Sequence, residues 1–263
     1  MRASVVIRVR DESAALAELL DRLARQSMEH EVVVVDSGSA DGSPGVARAR
    51  GARLLELPAA EFTFGRALNL GAAACAAPVI VALSAHAFPR DDEWLERMAA
   101  ALDVPEAACA FGPSHDWAGM PLAAPVRQDE ALARAHAEWG YSNGAGAFRA
   151  ELWRERGFRE DLPGTEDREW ALWALSRGLV CVLDPALAVD HDHSRDSLRA
   201  SFARYAREAR GYGMYLEDLP PYGARAAVGE WWSDQGWHRS RARARLDPRR
   251  AARLAGKWWG RKR

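Results

Sequence analysis

Residues 31–43 read EVVVVDSGSADGS, four valines and an aspartate followed by small residues and two glycines. A β-branched run of this length is a strand, and Gly38 and Gly42 let the chain turn sharply after it. The same alternation extends outward on both sides. Ala3–Val9 is a second strand, and between the two, residues 13–25 place Leu16, Leu19, Leu20 and Leu23 at helical spacing. Residues 52–57, Val79–Ser84 and 107–112 supply three more strands, separated by helical patterns over 65–76 and 92–102. Strands alternating with helices predict an α/β fold with a mostly parallel sheet and helices on both faces. The ligand site of such a sheet lies beyond the carboxyl ends of its strands, here residues 8–12, 36–39 and 84–86.

The second half is less regular. Residues 113–125 are rich in Gly, Pro and small residues and predict a loop placed over a site. YSNGAGAF (141–148) is a Gly-rich turn entering a strand, 166–177 is a helix with acids at its start, Val180–Leu183 and 188–189 are short strands, and 196–212 is a helix.

The chain has 263 residues, 48% hydrophobic and 28% charged, enough for one large α/β domain with an extension. Charges interrupt the first apolar stretch, MRASVVIRVRDE, so it reads as a strand and not a signal peptide, and no apolar run reaches the ~20 residues of a membrane-spanning helix. Cys75, Cys109 and Cys181 are isolated, which argues against a disulfide framework and for a reducing, cytoplasmic setting. The net charge of −1 conceals an asymmetry: residues 237–263 carry eleven Lys or Arg against one acid, Asp247. A cationic segment therefore follows an acidic body.

Four constellations could carry chemistry. Asp36 ends its strand before small residues, where a carboxylate either meets a ribose or base edge or merely organises the turn. His86 lies two residues past the strand Val79–Ser84, as a ligand or acid/base group or as an ordinary exposed histidine. His191 and His193 in AVDHDHS would share one face of an extended segment, suiting a transition metal, the more so if His86 converges on the same point, or forming a solvated polar strand end. In GTEDREW, Glu166 and Asp167 open a helix with Thr165 as N-cap, serving either the helix dipole or general-base work on a hydroxyl.

Taken in order, SVVIRVRDE, VVVVDSGSADGS, FTFGRALNLGA, VIVALSAHAFPRDDEWLE, YSNGAGAFRAELW, GTEDREWALWALSRG and AVDHDHS resemble bacterial family-2 glycosyltransferases, inverting nucleotide-sugar enzymes of the GT-A fold. The rhamnosyltransferase-like branch is the most similar. The resemblance implies a Rossmann-like domain over residues 1–212, with a helical, basic, Trp/Arg-rich extension over 213–263. It implies that Arg8, Glu12, Asp36, Ser39, Arg66, Asn69 and Ser84 line the nucleotide-sugar pocket. Asp167 would be the general base and Glu166 its supporting acid. Trp170 would be either an acceptor platform or a core tryptophan.

Two departures stand out. Members usually carry an acidic metal-binding motif at the strand end, where this chain has Ser84-Ala85-His86. An arginine common before the motif's asparagine is Leu68 here, with Arg66 as a candidate substitute. Either His86 coordinates a divalent ion with His191 or His193, favouring Mn²⁺ over Mg²⁺, or a cationic His86 and Arg66 neutralise the diphosphate without metal. The expected activity is transfer of a sugar from a nucleoside-diphosphate donor to a glycan or lipid-linked acceptor hydroxyl. A catalytically silent nucleotide-binding scaffold of the same fold is the alternative.

In the tail, Trp231, Trp232, Trp237, Trp258 and Trp259 accompany the basic residues. Tryptophan and cations together predict peripheral contact with an anionic membrane surface on the cytoplasmic side. The competing readings are tryptophans packed on the domain and a merely solubilising end. No nucleic-acid fold accompanies the charge, so nucleic acid is not expected as a partner.

Overall fold

A computed structural model of the chain describes residues 1–191, 197–219, 221–233 and 248–262. The first valine run and its neighbours form the expected strands: β1 Ala3–Val9, β2 His30–Asp36, β3 Arg53–Glu56, β4 Val79–Ser84 and β5 Ala107–Phe111. They are followed by β6 Val126–Gln128, β7 Ala145–Arg149 and β8 Val180–Leu183. Among the described residues these make one eight-stranded sheet in the order β3-β2-β1-β4-β7-β5-β8-β6. β7 is antiparallel to both its neighbours and β6 is antiparallel to β8; the remaining pairs are parallel. Six strands thus end on one edge, and β6 and β7 begin there.

β1 shows why the sheet is covered on both sides. Val5, Ile7 and Val9 face one core with Leu16, Leu19 and Leu23 of α1 (Ser13–Leu23), whereas Val6 faces the other with Leu68 and Trp170. Strand alternation sends successive side chains to opposite faces, and both faces here are apolar. Helices α3 (Phe64–Ala73) and α7 (Glu166–Leu175) cover the second face. Between α1 and α3 lies α2 (Ser43–Ala49), a short helix entered through Gly42 at φ 89° that the small-residue run did not announce.

Two expectations are corrected here. Residues 188–189 do not form a strand. Pro185 lacks an amide hydrogen, and Asp184 accepts from the Ala186 N–H at 2.8 Å, so the chain makes a single 3-10 turn over Pro185–Leu187. Asp190 then pairs with Phe88 as an isolated bridge. Thr165 occupies the N-cap position of α7, but its side chain makes no capping bond and its backbone is left-handed, φ 69°.

The chain closes with a long helix (Leu198–Gly213), a shorter one (Ala224–Ser233) and a C-terminal helix (Pro248–Gly260). The C-terminal helix packs against Leu198–Gly213 so closely that a Cβ at Gly260 would collide with the carbonyl oxygen of Ala206. Part of the tail's charge turns inward. Lys257 is buried and donates to Glu138 at 2.5 Å and Glu230 at 2.9 Å, and buried Arg250 donates to the carbonyl oxygens of Glu230 and Trp231. Among the described residues, no helix is long and apolar enough to cross a membrane.

Candidate active site

The switch in strand order falls between β1 and β4, and their carboxyl ends open the crevice where α/β sheets bind ligands. Register places Arg8 of β1 opposite Ser84 of β4, and Val9 opposite Asp36 of β2. Asp36 is 3% exposed. Its Oδ2 accepts from the amides of Gly38 and Ser39, both at 3.0 Å, while buried Oδ1 has no protein partner among the described residues. A carboxylate oxygen buried at the ligand edge without a donor suits a hydroxyl or base N–H from outside. Next to it, Ser39 Oγ accepts from the Asp11 amide at 2.9 Å, and Asp11 in turn accepts from Ala40, joining the two loops.

Arg8 points along the sheet edge toward the acidic pair. One of its nitrogens lies 3.9 Å from Glu166 Oε1, another donates to the Asn143 carbonyl at 3.3 Å, and its guanidinium sits 5.3 Å from the Phe64 ring centre. A second arginine meets the same ring: Arg207 lies 5.0 Å from it. Arg207 comes from the helix Leu198–Gly213, and burial pulls its pKa below the ordinary arginine value. Two partly desolvated cations on one ring form a place for an anion. Arg207 was missed because its helix reads in the sequence as an ordinary arginine-rich amphipathic helix.

Asp167 is buried and held by two backbone donors, the Asn143 N–H on Oδ2 at 3.1 Å and the Arg168 N–H on Oδ1 at 2.8 Å. Glu166 beside it is pushed up to about 7, first by burial and then by the charge of Asp167, with Arg8 opposing. Thr165, immediately before this pair, is left-handed, a strained conformation of the kind found at functional sites. It is clamped from behind by Gly211, where a Cβ would collide with both the Gly164 carbonyl oxygen and Thr165 Oγ1. Asn143, also missed, links these groups. Its N–H holds Asp167, its carbonyl meets Arg8, and its Oδ1 accepts from buried Tyr141 at 2.7 Å.

Glu12 and His86 converge as a pair, Nδ1 of His86 lying 2.6 Å from Glu12 Oε2. The Asp190–Phe88 bridge brings His191 alongside, its ring centre 4.7 Å from that of His86. His193 lies outside the described residues. Among the described residues, no group of three His, Cys, Asp or Glu side chains is arranged to hold a metal ion. Two adjacent imidazoles, one backed by a carboxylate, nevertheless match the donor set of a divalent site whose remaining ligands come from substrate oxygens.

Three expected site residues are placed elsewhere. Trp170 is 0% exposed, its Nε1 donating to the Arg156 carbonyl and its ring packed among Tyr141, Phe148 and Phe158, so it cannot be an acceptor platform. Asn69 uses its whole amide within the protein: Nδ2 donates to Phe158 O and Glu160, and Oδ1 accepts from Trp153 Nε1 and the Phe158 N–H. That leaves it no hydrogen bond for a nucleotide. Arg66 pairs with Glu61 at 2.6 Å near the surface, and Leu68, in place of the common arginine, is buried in the core. Ser84 stays at the edge, its carbonyl closing a turn with the Ala87 N–H at 3.0 Å.

The sequence matches the family described as Glycosyl transferase family 2 over residues 4–182. The chain belongs to this family, and it is a glycosyltransferase. No curated protein sequence matches it. Solved structures share the fold. A mannosyltransferase from Pyrobaculum calidifontis, in complex with GDP-Man and Mn²⁺, aligns at TM-score 0.63 and 22% identity, covering 97% of this chain and 74% of that one. S. aureus TarS 1-349 with UDP-GlcNAc aligns at 0.61 and 17%, covering 88% and 70%. Glucosyl-3-phosphoglycerate synthase from Mycobacterium tuberculosis, with Mn²⁺, UDP and glucosyl-3-phosphoglycerate, aligns at 0.61 and 20%, covering 81% and 80%.

Proposed function

We propose that this glycosyltransferase moves a hexose or deoxyhexose, as in the rhamnosyltransferase-like branch, from a nucleoside diphosphate to a hydroxyl of a glycan or lipid-linked acceptor, with inversion. One observation carries this reading: Asp167 is fixed by two backbone donors at the sheet edge that also presents Arg8 and the unpartnered Oδ1 of Asp36. Asp167 takes the proton of the acceptor hydroxyl. The oxygen's electron pair attacks the anomeric carbon, and the bond from that carbon to the diphosphate breaks on the opposite face. The nucleoside diphosphate leaves with the electron pair, and a single displacement inverts the carbon. Asp36 takes the ribose or base edge, and Arg8 and Arg207 face the developing charge.

His86 and His191, with Glu12 orienting His86, would hold a divalent ion, Mn²⁺ in preference to Mg²⁺. When bound, the ion supplies charge stabilisation to the departing diphosphate. Two of the fold neighbours were solved with Mn²⁺ beside GDP-Man or UDP, which supports the same class of ligand here. The extension adds contact with an anionic membrane. Trp232 and Trp258 are 59% and 36% exposed, and residues 237–263 carry a formal +10. Trp237 lies outside the described residues.

Calorimetric titration of UDP, dTDP and GDP into metal-stripped protein, repeated with Mn²⁺ and Mg²⁺, tests the donor reading. Binding of one nucleotide, strengthened by Mn²⁺ and insensitive to Mn²⁺ in His86→Ala, is the expected result. Metal-independent binding would transfer the diphosphate to the arginines alone. No binding by any nucleotide would leave the silent scaffold. Flotation with phosphatidylglycerol vesicles tests the membrane contact, which fails if protein and vesicles stay separate at low salt.

A further inference from the structure

The predicted loop over 113–125 leaves the carboxyl end of β5 and carries an organised turn. His115 and Pro121 form an isolated bridge, the Asp116 N–H donates to Met120 O at 2.8 Å, and Asp116 Oδ1 accepts from the amides of Ala118 and Met120, both at 2.9 Å. At its tip stands Trp117. Its ring stacks on His136 with centres 4.9 Å apart and planes 16° apart, and it meets Trp139 edge-on at 5.2 Å. Trp139 is tied to the same turn, Nε1 donating to His115 O at 2.8 Å. Trp117 is nonetheless 45% exposed, so the face turned away from His136 is open to solvent.

A rigid, open indole face at a ligand edge has a specific use. Its π-cloud is negative, its area is large, and holding it there costs little conformational entropy because two rings already lock it. A pyranose presents the complement: one face of polarised C–H bonds and a rim of hydroxyls that stay in water. Location selects which sugar. The Arg8 and Asp36 half lies at β1 and β2, whereas Trp117 issues from β5; between them lies β7, whose leading residue Asn143 holds Asp167. Trp139 is four residues before Asn143, so the platform's base is within about 14 Å of the group that grips Asp167. The strand whose leading residue grips the general base thus lies between the donor half and the strand from which the tryptophan issues.

We propose that Trp117, braced by His136 and Trp139, is the platform on which a pyranose ring of the acceptor lies, so that the acceptor is a glycan. This rests on the transferase reading above and names the acceptor class within it.

Saturation-transfer difference NMR of the full chain tests it, with methyl α-mannopyranoside, methyl α-rhamnopyranoside and methyl β-glucopyranoside as probes and UDP, dTDP and GDP binding measured on the same samples. At least one glycoside should receive saturation on its ring C–H protons. Trp117→Ala should weaken that binding about tenfold or more, and Trp117→Phe should retain most of it, nucleotide affinity staying at the wild-type value in both. Equal glycoside binding in wild type and Trp117→Ala, or no binding of any glycoside to wild type, overturns the platform. Nucleotide binding without glycoside binding sinks this inference alone. Glycoside binding through Trp117 without nucleotide binding sinks the donor reading instead.

Discussion

The backbone N–H of Asn143 donates to Oδ2 of Asp167 at 3.1 Å, so the residue leading into β7 fixes the carboxylate at the head of α7. A backbone donor survives any substitution at its own position except proline, so this bond depends on how the backbone of Asn143 is held. Asp167→Asn keeps the shape and loses the proton acceptor. Turnover should fall about 10² to 10⁴-fold, with calorimetric nucleotide affinity unchanged. An active asparagine variant would remove Asp167 from the role.

Tyr141 acts one step further back, through its 2.7 Å hydrogen bond to Asn143 Oδ1. Tyr141→Phe leaves a buried amide oxygen unpaired, at a cost of about 1–3 kcal/mol. Loosening Asn143 should lower kcat more than it raises the donor KM, since Asn143 grips the base. Equal changes in both would point to general unfolding rather than positioning.

Glu166 gives stability a pH dependence. Its carboxyl is raised from 4.5 to about 7, so between those values the native state binds more protons than the unfolded chain. Stability from this group is fully present below about 4.5 and is lost as pH rises through about 7. Thermal melts should show wild type losing a few degrees relative to Glu166→Gln between those two limits, with the difference level above them. Parallel melting curves across the range would refute it.

Arg8 and Arg207 share the Phe64 ring, and like charges in a partly dry site oppose one another. Arg207→Ala should leave the melting temperature unchanged or raised while weakening diphosphate nucleotides about tenfold. Nucleotide titration decides it; unchanged affinity would place Arg207 outside the donor site.

Asn69 makes the opposite prediction. Its alanine variant strands the Trp153 indole N–H and the Phe158 amide, at about 1–3 kcal/mol each if they find no water. The melting temperature should drop clearly with nucleotide affinity preserved. A selective loss of nucleotide binding in a stable Asn69→Ala protein would return it to the donor pocket.

Strands β1, β2, β4 and β8, the helix α1 after the first of them, and the places of Asp36 and His86 at strand ends were legible in the sequence. Each depends on a local pattern: a β-branched run, a leucine repeat, or small residues after an acid. The short elements that escaped, among them α2, β6 and the helices Glu130–Ala135 and Ala150–Glu155, have too few residues for a period to emerge. Trp170 shows the same limit within one residue. Four residues after Glu166 and on its helix face, it suited an acceptor platform or the core, and only the packing of Phe148 and Phe158 around it decides for the core.

By itself, then, the sequence determined the alternating architecture and the strand ends that make the ligand edge, because periodicity reports which way a side chain faces within its own element. Spacing left the acidic pair open between the helix dipole and general-base work. Tertiary structure alone decided who meets whom. Asp167 finds Asn143 across 24 residues, His86 finds Glu12 across 74, and Arg8 finds Asn143 across 135. Those partners meet because β7 inserts antiparallel between β4 and β5 and the helix Leu198–Gly213 folds back on Thr165. Both arrangements follow from burying two apolar sheet faces at once, a condition on the whole chain that no short stretch of it expresses.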